Sequence, residues 1–152
     1  MFNDFLATFS QQLTPQMWGV VATATYETIY ISFASTLLAV VVGVPVGVWT
    51  FLTGKNEILQ NNRTHFVLNT IINIGRSIPF IILLLILLPV TRFIVGTVLG
   101  TTAAIIPLSI CAMPFVARLT ANALMEIPNG LTEAAQAMGA TKWQIVRKFY
   151  LP

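Results

Sequence analysis

Residues 133–152 read EAAQAMGATKWQIVRKFYLP, a polar and basic stretch that follows a long apolar region of the chain. The pattern is that of two short helices joined by a turn at Gly139. Charged side chains are costly within hydrocarbon, so this stretch is predicted to lie outside the bilayer. It would give a soluble partner a place to bind on an otherwise membrane-embedded protein.

The composition upstream is typical of a membrane protein. Of the 152 residues, 56% are hydrophobic and 9% are charged, against about a quarter charged in soluble domains. The mean hydropathy is +0.81. Residues 28–54 and 93–117 carry no Asp, Glu, Lys or Arg, and only Arg76 interrupts the apolar region 66–89. Each run exceeds the roughly 18 residues that mark a spanning helix. The sequence therefore predicts an all-α polytopic membrane protein with spans at about 28–52, 68–90 and 93–116.

The orientation is predicted from the basic residues. Lys55, Arg63 and His65 lie in the loop 53–66, and further basic residues follow the third span at Arg118, Lys142, Arg147 and Lys148. By the positive-inside rule, the loop 53–66 and the segment 118–150 are expected in the cytoplasm. The N-terminal segment 1–18, with Asp4, and a short hairpin at Arg92 are then extracytoplasmic.

The terminal stretch contains residues that typically begin and cap a pair of helices. Residues 131–138 are strong helix formers, with Glu133 expected in the first turn, where it would complement the helix dipole. Gly139 is suited to a left-handed cap, and Thr141 with Gln144 forms a capping-box pattern for a second helix. Small residues at 134, 135 and 137 predict a first helix slim enough to enter a groove on a partner.

Three interpretations of this helix pair compete. It could lie on the membrane surface as an amphipathic pair. It also has the spacing of a DNA-binding helix-turn-helix, although three preceding spans and few basic residues in the second helix argue against nucleic acid. The third interpretation is a coupling loop, a segment through which a soluble partner acts on the membrane helices. It accounts for Glu133, Gly139 and the closing Leu151-Pro152 together.

Other features within the spans have structural and functional interpretations side by side. Pro45, between Gly43 and Gly47, predicts a bend and a close approach of helices. In the structural interpretation, Arg76 snorkels to the membrane surface and Pro79 is a tolerated helix bend. In the functional interpretation, both residues lie on a transport pathway or at its gate. Cys111 is interpreted as a small apolar filler.

The terminal spacing resembles the signature of permease subunits of ABC importers: Glu-Ala-Ala, three residues, Gly, nine residues, Ile-x-Leu-Pro. The matching positions are Glu133, Ala134, Ala135, Gly139, Leu151 and Pro152, and Phe149 departs from the usual Ile. Upstream, the chain is similar to the permeases of methionine importers at residues 43–48, 76–84, 114–118 and 126–131.

The resemblance implies a type I ABC importer transmembrane domain over residues 19–152, with about three of five expected spans and hence a C-terminally incomplete subunit. Two permease copies in a bacterial inner membrane would pair with two cytoplasmic ATPase subunits and receive an amino acid, methionine by this resemblance, from an external lipid-anchored binding protein. The chain is expected to hold no cofactor or metal. It is also expected to be no enzyme, because it has no phosphate-binding Gly-Lys-Ser/Thr loop. The alternative function is a membrane-anchored regulatory or scaffold fragment that docks a cytoplasmic partner without transporting.

Overall fold

The computed structural model describes residues 15–150 apart from Asn56, and within them every regular element is helical. The helices are α1 (Pro15–Leu52), α2 (Asn62–Ser77), α3 (Phe80–Val95), α4 (Thr101–Met125), α5 (Asn129–Ala137) and α6 (Lys142–Ile145), which continues as a π-helical turn (Val146–Tyr150). Helices α1, from Met17, and α4 are each long and apolar enough to cross a membrane, and α2 with α3 is apolar enough to form either a third, bent span or a re-entrant loop. The predicted all-α membrane fold is confirmed.

Two glycines bring α1 and α4 together, as the sequence predicts. A Cβ on Gly43 would lie 2.8 Å from Cβ of Val116, and one on Gly47 would lie 2.7 Å from Cβ of Thr120. Only hydrogen atoms leave enough room for this approach, which is the usual role of a Gly-x-x-x-Gly pair between membrane helices. Since positions 43 and 47 meet successive turns of α4, the two helices run in the same direction.

Helix α2 packs against the same helix in the opposite direction. A Cβ on Gly75 would lie 2.7 Å from Cγ of Pro114. At the middle of α2, Nη1 of Arg118 donates a hydrogen bond of 2.9 Å to Oδ1 of Asn69. Arg118 therefore lies within α4 and bridges two helices, although the sequence analysis placed it in the loop 118–150.

The prediction of one continuous spanning helix over residues 68–90 is wrong. Helix α2 ends at Ser77 and α3 begins at Phe80, and their axes differ by 105°. Pro79 has no N–H and disfavours helical geometry at the residue before it, and Ile78 accordingly has φ −76° and ψ 123°. Pro79 itself caps the start of α3. The residue expected to bend one helix therefore separates two.

The predicted hairpin at Arg92 and the third span at 93–116 are also misplaced. Pro89 and Arg92 lie inside α3, which continues to Val95. The chain turns between Gly96 and Gly100, whose φ angles are +82° and +106°, a region that favours glycine. Helix α4 consequently begins at residue 101 and ends at 125, so the loop predicted from 118 begins only after Met125.

The first helix extends further towards the N-terminus than the predicted span 28–52. It ends at Leu52 as expected but begins at Pro15. Residues 15–18, predicted to belong to an extracytoplasmic segment, are thus part of α1. Residues 1–14, including Asp4, lie outside the described residues.

Candidate coupling site

Helix α5 begins directly after a proline. Pro128 has an extended conformation at the N-cap, and the helix runs from Asn129 to Ala137. Proline presets the backbone for entry into a helix, so the helix starts two residues before the predicted Leu131. The first turn of α5 consequently contains no acidic residue. The expected dipole role of Glu133 in that turn is therefore wrong, because Glu133 lies one turn further on.

The turn between α5 and α6 follows the predicted pattern closely. Gly139 has a φ of +81°. Its N–H donates to the carbonyl of Gln136 at 2.9 Å, and that of Ala140 donates to the carbonyl of Ala135 at 3.0 Å, which together form a Schellman motif. Thr141 and Gln144 then form the capping box. The left-handed cap at Gly139 and the capping box are both confirmed.

One side of the helix pair is buried against the membrane helices. Ala135 and Ile145 have no exposed surface, and Val146 and Tyr150 are nearly as deeply buried. They form a buried cluster with residues of α1, α4 and the first loop, which is residues 53–61 between α1 and α2. These residues are Val48, Phe51, Leu52, Ile58, Ala121 and Leu124. The helix pair is therefore packed onto the ends of two spanning helices.

Tyr150 connects different elements of this buried cluster. Its ring meets that of Phe51 edge to face, with 5.1 Å between centroids, a favoured aromatic geometry. Its hydroxyl lies 2.8 Å from Oγ1 of Thr132 on α5. Burial raises the pKa of Tyr150, the hydrogen bond with Thr132 opposes that rise, and the carboxylate of Glu57 adds to it. Helices α1, α5 and the π-helical turn are thus connected through one side chain.

The first loop packs against the same cluster. The N–H of Leu59 donates to the carbonyl of Leu52, and the N–H of Asn61 donates to the carbonyl of Thr53, both at 3.1 Å. Nδ1 of His65 lies 2.9 Å from the carbonyl oxygen of Thr50. Burial raises the pKa of the Glu57 carboxyl in this loop. The loop and the terminal helix pair are therefore at the same end of the helix bundle.

The predicted coupling residues divide between two environments. Glu133, Ala134 and Gly139 are exposed, whereas Ala135 is completely buried. That small residues at 134, 135 and 137 make α5 slim enough to enter a groove on a partner stays a prediction, and Ala135 also allows α5 to approach the spanning helices. Leu151 and Pro152 lie outside the described residues.

The predicted pathway residues lie elsewhere. Arg76 is exposed in the last turn of α2, and Pro79 is exposed at the start of α3. A basic residue in the last turn of a helix is stabilised by the helix dipole, so a local reason for Arg76 exists beside any role in transport. The two residues flank the 105° break and do not contribute to the buried cluster.

Sequence reasoning missed Phe51, Thr132 and Tyr150 as members of the site. The sequence has ten phenylalanines and three tyrosines, and nothing in the local pattern distinguishes these from the others. The available signal was the amphipathic pattern of α6, whose apolar residues include Trp143, Ile145 and Val146. Ile145 and Val146 are buried, whereas Trp143 is 69% exposed.

Comparisons with known proteins identify relatives of this chain. Over 135 residues the chain is 98% identical to the probable D-methionine transport system permease protein MetI of Haemophilus influenzae, which covers 89% of the chain and 63% of that relative. It is 50% identical over 138 residues to the D-methionine transport system permease protein MetI of Escherichia coli K12, covering 91% and 63% respectively. The chain thus spans a little under two thirds of the length of these curated relatives.

The fold matches a solved transporter as well as a family. In inward-facing conformations of the MetNI methionine ABC transporter, one chain superimposes with a TM-score of 0.89 and 47% identity, covering 92% of this chain and 65% of that one. Residues 43–152 match the model of the family "Binding-protein-dependent transport system inner membrane component". That match includes both glycines of the α1–α4 contact and the whole terminal helix pair. The chain therefore belongs to the family of inner membrane components of binding-protein-dependent transport systems.

Proposed function

We propose that this chain is the membrane-spanning permease subunit of an ABC importer for an amino acid, methionine, and that the surface around Glu133–Gly139 receives force from a cytoplasmic ATPase. The names of relatives at 98% and 50% identity support the substrate. The fold of a methionine ABC transporter chain, with a TM-score of 0.89, supports the type of transporter.

The observation that carries the coupling role is the two-sided environment of α5. Glu133 and Ala134 face outward, while Ala135, between them and the bundle, has no exposed surface. Ile145 and Tyr150 continue the inner side into the ends of α1 and α4. Protein interiors are close-packed and transmit displacement. A movement imposed on the outer side of α5 would therefore reach the spanning helices.

The partners and orientation belong to the same proposal. A dimer of ATPase subunits hydrolyses ATP, a second permease copy completes the pathway, and an external lipid-anchored binding protein delivers the amino acid. The first loop and the terminal helix pair share one end of the bundle, which gathers Lys55, Lys142 and Arg147 there. The positive-inside rule then assigns this end to the cytoplasm and the start of α1 to the outside.

Cysteine crosslinking at neighbouring positions tests the docking surface. In the assembled transporter, with Cys111 replaced by alanine, Ala134→Cys is expected to crosslink to a cysteine in the ATPase groove. The matched variant Ala135→Cys should not, since position 135 is buried. Crosslinking at 135 but not at 134 would contradict the proposed docking face.

Uptake of labelled methionine tests the coupling. Glu133→Lys, which reverses an exposed charge, and Gly139→Val, which places a β-branched residue at φ +81°, should abolish uptake with normal insertion. Gly130→Ala is the matched control, since Gly130 also has open space around it but no positive φ. Normal uptake by both test variants would remove the coupling assignment. Docking of the ATPase by a wild-type protein without uptake would favour the scaffold function.

Arg76 and Pro79 are proposed as gate residues because they flank the 105° break between α2 and α3. Arg76→Gln is expected to reduce uptake, whereas Arg76→Lys should retain it if the positive charge is what the gate needs. Equal uptake by Arg76→Gln and the wild type would leave Arg76 with only its local role at the end of α2.

A further inference from the structure

A groove runs between the C-terminal half of α1 and the α6 region. Its volume is about 690 Å³, within the range of about 300–1,000 Å³ that is usual for ligand sites. The wall on α1 is apolar and is formed by Val44, Pro45, Val48 and Leu52. The proposed docking face around Glu133–Gly139 does not contribute to it.

Two basic side chains, Lys142 and Arg147, also line this groove. Five positions apart, they would point about 140° away from each other on an ideal α-helix. The π-helical turn from Val146 to Tyr150 is wound more loosely, and both residues line the same groove. Such turns occur frequently at functional sites. Among the described residues that line the groove, none is acidic.

Two tryptophans indicate the depth of the groove in the bilayer. Trp49 and Trp143 both line it and are 61% and 69% exposed. Tryptophan is enriched at the boundary between hydrocarbon and headgroups, and α1 ends three residues after Trp49. The apolar wall therefore lies on the hydrocarbon side of this boundary, and the two basic residues lie at headgroup depth.

We propose that this groove binds an anionic phospholipid of the cytoplasmic leaflet, with an acyl chain along α1 and the phosphate at Lys142 and Arg147. The charge of the two basic residues complements an anionic headgroup, and the apolar wall complements the acyl chain. The inference depends on the proposed cytoplasmic position of this end of the bundle. It does not depend on the substrate or on ATPase docking.

Quenching of tryptophan fluorescence by brominated lipids tests the proposal. In the full chain, Trp18→Phe with Trp49→Phe leaves Trp143 as the only one of three tryptophans. In nanodiscs, dibrominated phosphatidylglycerol should half-quench Trp143 at a mole fraction roughly thirtyfold lower than dibrominated phosphatidylcholine, since each of the two basic residues contributes about 1 kcal/mol. A chain retaining only Trp18, at the other end of α1, should show no such preference.

Charge and shape variants distinguish the lipid from other occupants. Lys142→Gln with Arg147→Gln should bring the two lipids to equal quenching, whereas the control Arg92→Gln, outside the groove, should keep the preference. Val44→Phe, which fills the groove, should weaken quenching by both lipids. Equal quenching of wild-type Trp143 by both lipids would overturn the proposal. Shielding of Trp143 from both lipids would do so too and would indicate that protein, such as a second copy, covers the groove. Loss of ATPase crosslinking with the lipid preference intact would contradict the proposed function alone.

Discussion

The two halves of α1 belong to one candidate membrane span and have different environments. From Met17 to Tyr30 every residue is exposed within the chain, whereas from Gly43 onward the helix alternates between buried and exposed positions and is buried from Thr50 to its end at Leu52. The difference lies in the glycines at 43 and 47, which admit α4, and in the terminal helix pair, which covers the end of the helix. Hydropathy therefore indicates which segment can enter a membrane but not which part of it contacts protein.

The largest effect is expected for a pair of phenylalanines in the two halves of α1. Phe51 is 4% exposed and Phe33 is 71% exposed. Phe51→Ala should lower the free energy of unfolding by about 3–5 kcal/mol, because it leaves a cavity in the buried cluster. Phe33→Ala should change it little. Unfolding in detergent, followed by circular dichroism, measures both, and equal losses would show that the two halves are equally important.

A second pair of variants sharpens the same comparison at glycines. Gly47→Leu should destabilise the protein by about 1–3 kcal/mol, the usual cost of overpacking, because the side chain would collide with the backbone of α4 at Ala117. Gly19→Leu has no atom within 4 Å of the new Cβ and should be neutral. The apparent melting temperature in detergent checks this. A stable Gly47→Leu protein would contradict the close contact between α1 and α4.

A smaller effect is expected from a single hydroxyl group. Tyr150→Phe keeps the edge-to-face contact with Phe51 but removes the hydrogen bond with Thr132. The expected loss is about 1 kcal/mol, typical of one hydrogen bond. Thr132→Val should cost a similar amount, and the double variant should cost less than the sum of the two. Strictly additive losses would show that the two hydroxyl groups do not interact.

The smallest effect concerns pH. Burial raises the pKa of Glu57 above its ordinary value of 4.5, so the folded state holds this proton more tightly than the unfolded state. The resulting stability is complete below about pH 4.5 and is lost as the pH rises through the pKa of the folded state. Glu57→Gln should therefore stabilise the protein at pH 7, and this advantage should shrink towards pH 4. An advantage that does not vary with pH would exclude ionisation of Glu57 as its cause.

Features that depend on neighbouring residues along the chain could be predicted from the sequence. Gly139 adopts a left-handed conformation and Thr141 pairs with Gln144 because each depends only on backbone geometry within one or two turns. The close approach at Gly43 and Gly47 was also predictable, since their spacing places both on one side of a helix. The positions of the turns were less predictable: Pro79 broke a helix and Pro89 did not.

The sequence by itself determined that this is an all-α membrane protein with a polar helix pair after its apolar region. Uncharged runs, glycines and capping residues act through local physical chemistry, so their consequences could be derived from the residues alone. Only the tertiary structure decided that Ala135 faces inward, that Arg118 bridges to Asn69, and that Tyr150 connects α5 to α1. The contacts of Arg118 and Tyr150 join residues from 18 to 99 positions apart. They depend on how whole helices pack, which no local pattern specifies.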